Sequence, residues 1–261
     1  MNLFLQRLIR KKTISDKELE KKRYDNFALN ISNKQNQKFG SLAEEPILRE
    51  PYIYYESLIK KEIKSQMKVL ELGSGTGRYT KILLENSNLV YATDISIQSL
   101  KFIKEMKNIN NQKLQTFVCD IEKLPFDDKT FDIITSAGVL SYGNNNLVLN
   151  EIYRLLKPNG KFICVDSLNN NPIYFFNRLI HVLRGNRSIS TIIRMPSLKL
   201  LKKFKMRFRK YKVRFFGKIS WFSLIASYFL EESFIIKLSS IFDNKFNLKF
   251  LAFKFVLIVT K

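Results

Sequence analysis

The stretch Met67-Lys-Val-Leu-Glu-Leu-Gly-Ser-Gly-Thr-Gly-Arg78 decides the fold. Its apolar run is too short for a helix, and it stops at glycines on alternate positions, Gly73, Gly75 and Gly77. Tyr79 to Glu85 then carries apolar residues at helical spacing. A buried strand therefore enters a glycine turn and leaves it as a helix. The alternation recurs downstream. Leu89 to Asp94 reads as a second strand followed by a helix over Ile97 to Met106. Leu114 to Asp120 and Phe131 to Ser136 read as the third and fourth strands. Asn145 to Leu156 reads as a helix ended by Lys157-Pro-Asn-Gly160, where Pro cannot continue it and Gly accepts positive φ. Lys161 to Asp166 is the fifth strand. Strands alternating with helices at this spacing predict an α/β fold with a doubly wound, mostly parallel sheet covered on both faces.

Outside that core the signals are more local. Residues 1–12 read as a short basic amphipathic helix, with Leu5, Leu8 and Ile9 opposite Arg7, Arg10 and Lys11, and residues 16–30 extend or follow it. Asn30 to Gly40 is polar and reads as a loop, and Pro51 to Ile63 as a helix with Pro in its first turn. Asn247 to Lys261 is strand-like and predicts a terminal antiparallel hairpin on the sheet edge. The expected organisation is a helical cap over 1–66, a ligand-binding core over 67–166, a basic helical insertion over 167–246 and the hairpin over 247–261.

Composition bounds the chemistry. The 261 residues are 45% hydrophobic and 13% aromatic, enough for a sizeable core, which excludes wholesale disorder. Two cysteines, Cys119 and Cys164, and one histidine cannot make a disulfide framework or a structural zinc site, so no metal is expected. Both cysteines fall inside predicted strands and read as small core residues. The first residues carry charge by Arg7 and show no secretory pattern, and Ile219 to Leu230 is well short of the roughly 20 residues a spanning helix needs. A cytoplasmic protein is expected.

The formal charge of +22 is unevenly spread. Residues 67–166 hold 12 basic and 11 acidic side chains, whereas residues 167–261 hold 19 and 3. No acidic residue occurs from Ser167 to Leu230, and Lys199 to Lys218 interleaves ten basic residues with Phe204, Phe208, Tyr211, Phe215 and Phe216. Lysine outnumbers arginine 32 to 13, a bias that raises Lys everywhere but does not empty one region of Asp and Glu.

In doubly wound sheets the ligand sits outside the C-terminal strand ends, where the glycine turn lies. A glycine loop alone also fits dinucleotides, but three features argue otherwise. Arg78 stands where the dinucleotide fingerprint wants a small residue and would crowd a pyrophosphate. Glu71, two positions before Gly73, brings a carboxylate that repels phosphate and attracts a cationic amine. Asp94 ends the second strand, where it can accept both ribose hydroxyls, and Asp120 ends the third, where it can accept from an adenine amino group. The pattern suits an adenosine bearing an amino-acid-like cation. Singly, each residue reads equally well as a turn glycine or a solvated carboxylate.

Val69-Leu-Glu-Leu-Gly-Ser-Gly-Thr-Gly-Arg78, Ala92-Thr-Asp94, Cys119-Asp-Ile-Glu-Lys-Leu-Pro-Phe126, Phe131-Asp-Ile-Ile and Leu155-Leu-Lys-Pro-Asn-Gly-Lys161 occur in order. Together they resemble the class I S-adenosylmethionine-dependent methyltransferases, in the branch that includes quinone-biosynthesis enzymes. The resemblance covers about residues 67–166 plus the terminal hairpin. It implies S-adenosylmethionine as cofactor. By it, Glu71 and the Gly73, Ser74, Gly75 and Gly77 backbone would hold the methionine part, and Asp94 with Ile95 the ribose. Asp120 and Ile121 would hold the adenine edge, and Ser136 and Ala137 would border the methionine amine.

Methyl transfer from a sulfonium needs alignment and exclusion of water, and a hydroxyl acceptor usually needs a base. His181 is the candidate base, with a helix-packed histidine as the alternative. Tyr142 is placed to line the acceptor side, and Tyr24 to close over the cofactor. Arg184, Arg187 and Arg194 cluster where a phosphate or carboxylate could be held, or where a solvated basic face would lie. No Asn/Asp-Pro-Pro-Tyr run follows the fourth strand, against amino methylation of bases, and neither cysteine follows a proline, against attack on cytosine carbon 5. The stretch Asn169 to Pro196 looks similar to insertions in methyltransferases of surface-polysaccharide assembly. The expected function is O-methylation of a small or lipid-linked acceptor, such as a glycan intermediate, with the basic-aromatic segment and Ile219 to Leu230 resting on an anionic membrane. The alternatives are an RNA methyltransferase whose basic region tracks phosphates, and a non-catalytic scaffold that keeps the fold.

Overall fold

The computed structural model describes residues 16–33, 46–106, 109–183, 189–220 and 230–261. Its sheet is built outward from β1 (Lys68–Leu72), whose last four residues are all buried, as befits a central strand covered on both faces. β2 (Leu89–Asp94) pairs with β1 in parallel on one side and β4 (Phe131–Ala137) on the other. β3 (Leu114–Val118) extends the sheet beyond β2, and β5 (Leu156–Ser167) beyond β4. The direction then reverses, with β7 (Lys254–Thr260) antiparallel to β5 and β6 (Lys210–Phe216) antiparallel to β7. The order is β3-β2-β1-β4-β5-β7-β6. From β1 the chain winds one way to β3 and then returns to β4. That switch opens a crevice at the C-terminal ends of β1 and β4.

Helices cover both faces. On one, α5 (Asn145–Leu155) and α8 (Leu198–Arg207) pack on Leu70, Leu72, Ile134, Phe162 and Leu257. On the other, α2 (Pro46–Glu62), α3 (Arg78–Asn86) and α4 (Ile97–Glu105) pack around Val69, Val90, Ile133 and Ile163. α1 (Asp16–Asn33) lies against α4, and α6 (Pro172–Leu183) against α7 (Ile189–Arg194). α9 (Glu232–Lys245) precedes a 3-10 turn at Lys249–Leu251. Among the described residues no helix is long and apolar enough to cross a membrane.

The doubly wound sheet and its antiparallel ending are as expected, but several local readings need correcting. The strand that completes the ending comes from Lys210–Phe216, not from within Asn247–Lys261, so the basic insertion is not wholly helical. A period-two alternation of Lys210, Lys212 and Arg214 with Tyr211, Val213 and Phe215 carries that strand. The aromatics of Lys199 to Lys218 do not form a surface. Phe204, Phe208, Phe215 and Phe216 are buried, because α8 and β6 turn them onto the sheet and leave the charges outside. α1 continues through the start of the expected polar loop to Asn33, and residues 34–45 lie outside the described residues. α2 starts at Pro46, which takes the first helical position and leaves Pro51 inside the helix. After α5, Asn159 takes the positive φ, +65°. Gly160 is required for a different reason, since a Cβ there would lie 2.9 Å from the Lys157 carbonyl oxygen. The amphipathic helix read over 1–12 and most of Ile219 to Leu230 lie outside the described residues.

Candidate active site

A cavity of about 300 Å³ occupies the crevice at the strand ends, with α1 and α7 also contributing to its wall. Its floor is the glycine turn. Gly75 has φ +52°, and a Cβ there would meet no protein atom within 4 Å, so its bare backbone opens onto the cavity. Gly73 and Gly77 serve packing instead. A Cβ at Gly73 would come 2.4 Å from a Val139 methyl, and one at Gly77 would come 2.9 Å from Ile103. Gly77 is not in the cavity wall, whereas Gly73, Ser74, Thr76 and Arg78 are.

Asp94, at the tip of β2, ties this turn to the sheet. Its Oδ2 accepts the Gly75 N–H at 2.8 Å and its Oδ1 accepts the Ser96 N–H at 2.9 Å. Burial pushes the carboxyl up from its ordinary range, and the Ser96, Gly75 and Ile95 amides pull it back. Asp94 and Ile95 line the cavity, so the carboxylate keeps lone pairs for a ligand hydroxyl while fixing the loop. Glu71 lies behind the wall rather than in it. It is 3% exposed, its Oε2 accepts from the Thr80 hydroxyl at 2.6 Å, and burial raises its carboxyl to about 7, with Asp94 adding to the rise. Ser136 likewise lies behind the wall, and its hydroxyl and that of Ser74 are buried without a hydrogen-bond partner among the described residues.

On the β3 side the wall is Cys119, Asp120 and Ile121. The Asp120 carboxylate is engaged by Lys17 of α1, whose ammonium donates to Asp120 Oδ2 at 2.5 Å and to Glu122 Oε2 at 2.7 Å. A lysine thus holds the oxygen expected to accept from an adenine. Cys119, read as a core residue, faces the cavity, and burial pushes its thiol up to about 12, which leaves it a poor nucleophile. On the β4 side the wall is Ala137, Gly138 and Val139. Asp166, buried at the end of β5, accepts the Leu140 N–H at 3.0 Å and so pins that loop.

α1 closes the top. The Tyr24 hydroxyl donates to the Tyr142 hydroxyl at 2.9 Å, and the Arg23 guanidinium donates to the same oxygen at 3.0 Å. Burial raises the Tyr24 hydroxyl well above its ordinary value. Asp25 accepts from the Ser96 hydroxyl at 2.5 Å, so the helix is tethered to the Asp94 loop. Beside α1, with the Thr191 hydroxyl donating to Glu20 Oε1 at 3.5 Å, Ser190, Thr191 and Arg194 of α7 line the cavity, and the Arg194 guanidinium makes no hydrogen bond or ion pair among the described residues. His181 falls on α6, but its side chain, like Arg184 and Arg187, lies outside the described residues. Among the described residues no cluster of three metal-binding side chains occurs.

Sequence reasoning missed Lys17, Glu122, Gly138, Val139 and Asp166. Only Asp166 carried a signal, an aspartate ending a strand as Asp94 does. The arrangement is chemically coherent. Side-chain-free backbone at Gly75, a Ser74 hydroxyl unpaired among the described residues, carboxylates at Asp94 and Asp120 and the apolar Ile95 and Ile121 together fit a nucleoside whose ribose, base edge and charged tail each need a different neighbour.

Residues 70–164 match the family model described as a methyltransferase domain. The chain is 32% identical over 168 residues to the uncharacterized protein MJ1252 of Methanocaldococcus jannaschii, covering 64% of this chain and 57% of that protein. It is 35% identical over 103 residues to the ubiquinone/menaquinone biosynthesis C-methyltransferase UbiE of Desulfotalea psychrophila, covering 38% of this chain and 41% of that one. The chain thus spans about half the length of the curated relatives it matches. Among solved structures, geranyl diphosphate C-methyltransferase from Streptomyces coelicolor A3(2) superposes with a TM-score of 0.61 over 95% of this chain and 98% of that one, at 13% identity, a likeness of fold alone. The methyltransferase-domain match runs from β1 into β5, along the strands whose ends form the cavity, so this part of the chain is similar to a methyltransferase domain.

Proposed function

We propose that this protein transfers the methyl group of S-adenosylmethionine to an oxygen of a small or lipid-linked acceptor, such as a glycan intermediate, met at the inner face of a membrane. One observation carries the reading. The cavity has nucleoside-fitting residues at the β1 and β2 ends and, on α7, the Arg194 guanidinium, which is unpaired among the described residues. Bound S-adenosylmethionine supplies a methyl already activated on a sulfonium, so the protein's part is placement. Gly75 offers its backbone at close approach, Asp94 accepts ribose hydroxyls, and Ile95 and Ile121 flank the base. Asp120 reaches the base edge only when Lys17 yields it. Tyr24 and Phe27 of α1 cover the cavity, which excludes water, and Tyr24 and Arg23 both donate to the Tyr142 oxygen, leaving the Tyr142 proton to orient an acceptor oxygen. Arg194 suits an anionic group on the acceptor.

Calorimetry with S-adenosylmethionine tests the first half. Micromolar binding is expected, and its absence would favour a non-catalytic scaffold. For the second half, His181→Ala is expected to lower turnover at saturating donor roughly 100-fold if the histidine takes the acceptor proton, and unchanged turnover removes that role. The exposed charges of Lys202, Arg207, Lys210 and Lys212 favour one rival, an RNA methyltransferase. Retention on RNA at moderate salt without vesicle binding would select it. The burial of the neighbouring aromatics weighs against it, because single strands are gripped by exposed stacking rings.

A further inference from the structure

We infer that the outward face of α6 and α7 is a docking surface for an anionic lipid bilayer, set beside the cavity. α6 is inverted relative to an ordinary surface helix. Its Arg178 and Tyr174 side chains face the fold. Buried Arg178 donates to the Leu168 carbonyl at 3.0 Å and to Asn169 Oδ1 at 3.2 Å, and the Tyr174 and Ser220 hydroxyls hydrogen-bond at 2.5 Å. Its apolar side chains Phe176, Leu179 and Leu183 are spaced three and four apart, share one side, and point out. Phe176 is 64% exposed and Leu183 66%. α7 repeats the arrangement in one turn. Ser190, Thr191 and Arg194 line the cavity, while Ile193 is 75% exposed. Burying Phe176 and Leu183 in the core would stabilise the fold, yet internal hydrogen bonds hold the helix the other way round. Such an apolar stripe marks an interaction face.

Charge selects the occupant. No carboxylate occurs from Ser167 to Leu230. Arg178 is buried and Arg194 lines the cavity, and the exposed cations that follow along the chain are Lys199 and Lys202 at the start of α8. An acidic side chain anywhere along that span would be repelled by anionic headgroups, whereas each basic one is drawn to them. An apolar stripe with basic flanks is the pattern of a segment lying in the headgroup boundary. The inference rests on the reading that the acceptor is met at a membrane. It moves the contact away from Lys199 to Lys218, whose aromatics are buried, to the two helices nearest the acceptor end of the cavity.

Flotation of the full chain with vesicles tests it. Binding is expected to vesicles of phosphatidylcholine mixed with phosphatidylglycerol, weakening with salt, and not to phosphatidylcholine alone. The double variant Phe176→Ser, Leu183→Ser is expected to lower that binding roughly tenfold or more, with its thermal melt and its calorimetric affinity for S-adenosylmethionine unchanged. Three results overturn the inference: a parent that floats with neither vesicle, a double variant that floats as well as the parent, or a parent dimer that the double variant dissociates, which gives the face to self-association. Loss of S-adenosylmethionine binding by the parent would instead overturn the methyltransferase reading and leave the flotation result standing.

Discussion

The two halves of the sheet use the same residue types in opposite ways. From β1 to β5 the chain is nearly neutral, with 12 basic and 11 acidic side chains over residues 67–166. There its polar groups are drawn inward, with Glu71, Asp94 and Asp166 all buried at strand ends. Beyond β5 the chain is strongly basic, and it is the aromatics that go in. Phe204 stacks on Phe162 at 5.7 Å and Phe215 lies against the sheet, while Lys202, Lys210 and Lys212 stay in water. A buried carboxylate costs desolvation energy unless something repays it, so its presence marks a site. An exposed lysine costs almost nothing. Burial of charge alone does not separate the halves, since Arg178, Lys218, Asp243 and Lys254 are buried beyond β5; what marks the candidate site is that buried Asp94 also lines the cavity.

Removing the Phe204 ring tests whether the halves share one core. Phe204→Ala should destabilise the whole chain by about 3–5 kcal/mol, read as a single shifted transition in denaturant. Two separated transitions would split the halves energetically. A smaller effect is expected within the site. Gly75→Val places a β-branched residue at φ +52° and fills the open space above the turn, so affinity for S-adenosylmethionine should fall about 100-fold while the fold survives. Equal affinity would mean that the ligand does not approach that backbone. The smallest expected effect concerns buried charge itself. Burial raises Glu71 to about 7 from an ordinary 4.5, so the folded state holds its proton between those values and the unfolded state does not. The stability this contributes is complete below the lower value and is lost as pH rises through the higher one. Glu71→Gln keeps an acceptor for Thr80 and removes that dependence. Without ligand it should match the parent at about pH 4 and exceed it by roughly 1–3 kcal/mol at about pH 8. A parallel pH profile for the two proteins would show that Glu71 is solvated.

Much of the fold was legible because its signals are local. Val69 to Leu72 is too short and too apolar to be anything but a buried strand, and the glycines that follow it fix the turn. Asp94 and Asp120 were legible as cavity-lining residues because a carboxylate at, or just past, a parallel strand's C-terminal end has the crevice before it. Other readings failed where period two and period 3.6 blur, as in Lys210–Phe216, where alternating charge concealed a strand. Glu71 and Ser136 were placed one residue too generously, since alternation along a strand decides which neighbour reaches the crevice.

The alternation of strands and helices from β1 to β5, the glycine turn and the candidate carboxylates were determined by the sequence alone, because each depends on spacing within a few residues and on which φ values a side chain permits. Only the tertiary structure set Lys17 on Asp120, 103 positions away, closed Tyr24 on Tyr142, and turned α6 so that Phe176 and Leu183 face outward. Those contacts depend on how each helix is rotated about its own axis when the layers pack, a choice made by the whole core at once.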